Sequence, residues 1–253
     1  MSRGNSFFSN LPPVTKHLII INFICWLASI VFDSRFDVSK HFGLHFFLSP
    51  DFNVAQLLTY MFLHDTGNIA HIFFNMFTLF MFGITLERVL GWKRFLFYYI
   101  SCGLGAALLQ EVVAFIRYEN LIGAISPADL EIIRTNGAEL LNQGMNWMGD
   151  AGTLNLIINV PTIGASGAVY GILLAFAFIF PNMPLYIMFI PIPIKAKWMV
   201  IGYGAIELLL ALSTTGDGVA HFCHLGGMLF GLLMLLYWKN KGTINTGGYG
   251  GYY

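Results

Sequence analysis

At 253 residues the chain suits one large domain or two small ones, and its 13 Lys and Arg balance 13 Asp and Glu. Charged residues make up only 10% against 57% hydrophobic and 16% aromatic, with a mean hydropathy of +0.69, so polar side chains are too few to cover a water-facing surface. This excludes an ordinary soluble domain, a disordered chain and a coiled coil, and the lack of a dense basic stripe excludes a nucleic-acid partner. Cys25, Cys102 and Cys223 each sit in an apolar run, where they read as small hydrophobes rather than a disulfide or zinc framework. No cofactor and no metal is expected.

A hydrocarbon core about 30 Å thick needs about 20 apolar helical residues. In chain order, a short polar segment, 1–16, lacks a small-residue cleavage site, so the first run, 17–32, reads as a retained span. The loop 34–67 is rich in Phe, His and Leu and suits a half-embedded position in the interface. Spans follow at 68–90 and 94–116. The connection 117–162 contains Ser126-Pro127-Ala128-Asp129, a helix start with Pro in its first turn, and predicts one short extramembrane helix over 130–141. The remaining spans are 163–180, 198–212 and 219–238, and the Gly-rich tail, within 239–253, reads as disordered. The expectation is an all-α, polytopic membrane protein: a six-transmembrane-helix bundle over 17–238. With the N-terminus inside, Lys and Arg divide nine inside to four outside, which places both termini in the cytoplasm.

Polar groups inside spans are costly and therefore informative. His71 and Asn75 lie one turn apart on the second span; they could share a target or glue helices by hydrogen bonds. Gly164-Ala165-Ser166-Gly167, with Tyr170 and Gly171, opens the fourth span. Ala168 stands where a nucleophile elbow needs its last glycine, and Gly167 with Gly171 would also serve close helix packing. On the sixth span His224, Gly227 and Gly231 share one face, which puts the imidazole on a glycine groove, whereas His221 one turn outward reads as interfacial. Counted at 1.5 Å per residue from the outer ends, Ser166, His224 and Asn75 lie about 7, 9 and 10 Å deep, a shared level. A serine with a neutral histidine as base, and with donors from Asn75, His71 and the Ser166 backbone N–H, fills the roles of acyl transfer. No carboxylate is expected at that depth, so the unit reads as a dyad, with Tyr170 packing against the His224 ring.

The order H-x-x-x-N, G-x-S-G-x-x-Y and A-H-x-x-H-L-G-G-x-x-x-G, with Tyr60-Met61-Phe62-Leu63-His64 before the second span, resembles the rhomboid intramembrane serine proteases over about residues 15–238. The resemblance implies that Ser166 is the nucleophile and His224, not His221, the base. It implies an oxyanion site at Asn75, His71 and Gly164, with Tyr170, Gly167, Gly227 and Gly231 supporting. It further implies single-span membrane-protein substrates in a lipid bilayer, cut near the outer face, and a bacterial-type inner membrane. The long 117–162 connection departs from the family pattern. Two other classes compete. Glu207, counted about 10 residues from Lys197 and so placed near mid-membrane, could be the centre of a transporter; the same fold could also be a silent binder of membrane proteins. The absence of an internal repeat weighs against the transporter.

Overall fold

The computed structural model describes residues 11–32, 35–186, 192–213 and 220–244. Its spine is a set of apolar helices: α1 (Pro13–Phe32), α4 (Ile69–Leu90), α5 (Trp92–Ile122), α8 (Ser166–Ile179), α9 (Ala196–Leu212) and α10 (His221–Asn240). Four of them, α1, α4, α5 and α10, are long and apolar enough to cross a membrane unaided. The other two expected spans are shorter: α8 has 14 residues and α9 has 17, about 21 and 25 Å of helix. The shortfall in α8 has a local cause, because the chain runs extended before Ser166. That stretch meets its backbone hydrogen bonds elsewhere, Leu44 and Thr162 exchanging bonds of 2.9 and 2.8 Å and the Gly164 N–H reaching Tyr60 O at 3.0 Å. Non-helical backbone is tolerated at membrane depth only on such terms.

α10 packs chiefly on α5 and α8. Small residues permit this: a Cβ on Gly227 would overlap the Gly167 carbonyl, so α8 and α10 approach with backbones nearly touching. Two buried tyrosines tie the bundle through carbonyls left open by glycine. Tyr98 donates to Gly171 O (2.9 Å) and Tyr60 to Gly103 O (2.7 Å). At the other end of the molecule Glu87 of α4 accepts from the Val14 and Thr15 N–H groups and the Thr15 hydroxyl at 2.7 to 2.9 Å. It thereby satisfies first-turn donors of α1, which nothing else in an apolar setting would reach.

The loop expected at 34–67 contains α2 (Val38–Phe42), α3 (Gln56–Thr59) and a 3₁₀ turn, Tyr60–Phe62. Gln56 organises it, accepting from His45 N–H and donating to Asp51 O and His41 O. The 117–162 connection holds two helices, not one: α6 (Pro127–Asn142) and α7 (Gly149–Asn159). With Tyr118 and Phe46 they form a small second core around Ile133, Leu154 and Ile158. Asn159 and Asn155 clasp α6 through the Ile133 and Gly137 carbonyls. A hairpin not expected from the sequence, β1 (Pro184–Tyr186) with β2 (Pro193–Lys195), joins α8 to α9. The expected disorder of the tail falls mainly on 245–253, outside the described residues.

Candidate active site

Ser166 is the first residue of α8, and the residue before it, Ala165, offers no side-chain cap. The helical ladder opens with Val169 N–H donating to Ala165 O at 3.0 Å, so the Ser166 and Gly167 N–H groups stand ahead of it with the positive end of the dipole behind them. His224, one turn into α10, brings Nε2 to 2.8 Å from Ser166 Oγ. The Tyr170 ring stacks on the imidazole, centroids 4.3 Å apart and planes 9° off parallel. Ser166, Tyr170 and His224 are thus in mutual reach.

On the opposite wall stands His71 of α4. The Asp65 N–H donates to its Nδ1 (3.3 Å), which leaves the ring in the tautomer whose Nε2 carries the proton. That nitrogen faces Gly164, where an added Cβ would lie 2.8 Å from it and 3.5 Å from Ser166 Oγ. Gly164 also has φ +131°, a backbone region that only glycine enters without strain. Asn75 is buried, and its amide donates to His71 O at 2.9 Å, which holds one of its two N–H groups within α4. His64 stands edge-on to His71, ring centroids 5.1 Å apart. Burial foremost, then the neighbouring His71, pushes its pKa down to about 3, so it adds no charge to this wall.

Two expectations need correction. A carboxylate does reach the level of Ser166 and His224: Glu207 Oε2 lies 2.9 Å from His224 Nδ1 and 2.6 Å from His221 Nδ1, and Tyr170 donates its hydroxyl to Oε1. The error came from counting depth only from the inner end at Lys197, although the expected span 198–212 and α9 stop at the same residue. Because α9 ends at Leu212, Glu207 is five residues, about 8 Å, from the outer end, level with Ser166. His221, expected at the interface, is instead buried (8% exposed) against Glu207. The contact with His221 is an aligned hydrogen bond, whereas His224 Nδ1 has no aligned partner and meets the carboxylate off its N–H axis. One oxygen of Glu207 and the two Nδ1 atoms lie within 4.8 Å of one another and could hold a metal ion. Their present spacings, 2.6 and 2.9 Å, are shorter than the roughly 3.3 Å between donors of a tetrahedral zinc, so the cluster as it stands is shaped for protons.

Gly202 has open space where a Cβ would go, and Gly204 faces Met228 of α10. The loop 216–218, between the fifth and sixth expected spans, lies outside the described residues.

A family profile described as Rhomboid domain matches residues 51–241. The chain is 28% identical over 233 residues to the Rhomboid protease AarA of Providencia stuartii, a match covering 87% of this chain and 70% of that protein.

Proposed function

The chain belongs to the rhomboid family and is an integral membrane protein, and from that premise we propose that it is an intramembrane serine endopeptidase that cuts single-span membrane proteins near their outer end. The observation that carries the reading is the 2.8 Å approach of His224 Nε2 to Ser166 Oγ at an uncapped helix start. Ser166 Oγ attacks the scissile carbonyl carbon as its proton passes to His224 Nε2. The oxyanion then sits among the Ser166 N–H, the Asn75 amide and His71 Nε2–H. The C–N bond breaks as His224 returns the proton to the leaving amine, and water, deprotonated by the same imidazole, releases the acyl group.

Tyr170 keeps the imidazole in plane by stacking, and Gly167, Gly227 and Gly231 let the two helices close on each other. The membrane domain is taken as 17–238, with both termini cytoplasmic and, in a bacterial-type cell, the inner membrane as its location. Both oxygens of Glu207 are engaged by the same cluster, which favours the protease over a transport role for that residue. The test is purified protein in liposomes with a generic single-span substrate, wild type beside Ser166→Ala. Product from wild type alone supports the reading; product from both, or from neither, overturns it.

A further inference from the structure

We propose that Glu207 is a positioning residue for this reaction, a carboxylate that holds His224 in the tautomer able to take the Ser166 proton and faces the imidazolium once it has formed. The proposal rests on the protease reading above. Its ground is the convergence of three elements on one buried side chain. From α9, Glu207 (6% exposed) receives the Tyr170 hydroxyl of α8 on Oε1, and the His221 and His224 Nδ1 atoms of α10 meet Oε2.

Ser166 and Glu207 lie on opposite nitrogens of one ring, Oγ at 2.8 Å from Nε2 and Oε2 at 2.9 Å from Nδ1. A neutral imidazole carries a single proton. If it sits on Nε2, the ring donates to Ser166 and cannot act as base; if on Nδ1, facing the carboxylate, the Nε2 lone pair is free to accept. An ionised carboxylate is acceptor-only, with sites enough for all three donors, so it selects the second state. The off-axis approach to His224 suits a resting site, since such bonds are commonly loose before charge develops and tighten when it does.

Tyr170 then has two tasks, stacking on the ring that moves the proton and anchoring the carboxylate behind it. His221 takes the aligned bond to Oε2 at 2.6 Å and fixes the Glu207 rotamer. In the reaction the Ser166 proton goes to Nε2, the Nδ1–H remains on His224, Glu207 stays ionised, and the proton on Nε2 leaves with the amine.

The experiment compares wild type, Ser166→Ala, Glu207→Gln and Glu207→Asp in liposomes. It measures kcat and KM on a single-span substrate, the rate of Ser166 modification by a fluorophosphonate, and the unfolding temperature. Gln keeps the shape of Glu but offers His224 a donor or a neutral acceptor. Its expected effect is a kcat lower by about 10²- to 10⁴-fold with KM within about threefold and a comparable loss of fluorophosphonate labelling. Asp should recover about tenfold or more over Gln. A folded Glu207→Gln enzyme with kcat within about threefold of wild type, or with its loss confined to KM, would overturn the proposal. So would wild-type activity that chelation lowers as far as the Gln variant does, because the cluster would then hold a metal. If Gln fails to fold, ¹⁵N NMR of wild-type histidines decides: a proton on His224 Nδ1 supports the assignment and one on Nε2 refutes it. Cleavage persisting in Ser166→Ala would defeat the protease reading itself, while an inactive Ser166→Ala beside a fully active Glu207→Gln would defeat only this proposal.

Discussion

At the scale of single residues, the proposed mechanism divides the site into groups that move a proton and groups that hold charge. Under the proposed mechanism Ser166 and His224, 2.8 Å apart, act as one proton-transfer unit, so losing either should remove nearly all of its advantage and losing both should add little. Ser166→Ala, His224→Ala and the double variant are therefore expected to be equally inactive, with unfolding temperatures near wild type. His221→Ala, by contrast, should keep measurable turnover, because His221 touches the carboxylate and not the serine. Cleavage assays on the four proteins check this, and an active His224→Ala beside an inactive His221→Ala would reverse the assignment of the base. In the proposed oxyanion site Asn75 is one donor among several, with the Ser166 N–H and His71 Nε2 sharing the task. Asn75→Ala should cost about 3 kcal/mol, or 10² to 10³ in kcat, with KM little changed. Unchanged turnover would remove Asn75 from that role.

At the scale of elements, the short helices are the informative ones. α8 begins at Ser166 and not at the outer surface because the preceding backbone finds partners in Leu44 and Tyr60, and this leaves its first N–H groups facing the site. α1 shows the opposite arrangement, its first donors closed off by Glu87 from α4. Glu87→Ala would strand those N–H groups and the Thr15 hydroxyl, at a cost of about 1 to 3 kcal/mol. The expected outcome is a lower unfolding temperature and faster proteolysis near residue 13, with Ser166 still reactive toward a fluorophosphonate. Glu87→Gln, which keeps an acceptor, should lose less; equal losses for the two variants would show that acceptance at Glu87 is not what matters. The α6–α7 hairpin, with its own small core around Ile133 and Leu154, is built like an extramembrane cap rather than a further span.

At the scale of the whole molecule, depth governs what can be cut. A peptide bond within a helix is shielded by its own hydrogen bonds and side chains, so under the proposed mechanism a serine recessed at the start of α8 would act only where the substrate unwinds. A single-span substrate with Gly or Ala near its outer end is expected to be cut within about two turns of that end, and Leu replacements there should block cutting. Mass spectrometry of the products decides it, and cleavage in the cytoplasmic third would contradict both the orientation and the depth. Access from the bilayer would pass α9, where a Cβ on Gly202 would meet nothing within 4 Å among the described residues.

Residue identity and period alone determined much of this. Six apolar runs, the sign of their flanking charges and the polar residues spaced along them define the class of fold, because hydrocarbon tolerates few backbone and side-chain alternatives. His71 with Asn75, Ser166 with Gly167, and His224 with Gly227 and Gly231 were each legible as a face of one helix. Where those faces meet was not legible, since spacing along one helix says nothing about its rotation or end point relative to another. Glu207 is the clearest instance: the end of α9 at Leu212 was legible, but the partners of Glu207 depend on which way α8 and α10 turn. The clasp of Asn155 and Asn159 on α6 and the closure of α1 by Glu87 are likewise contacts across 18 to 73 positions of chain. Only the packed tertiary structure could decide them, because they arise where buried polar groups must find partners and the nearest ones lie far away in sequence.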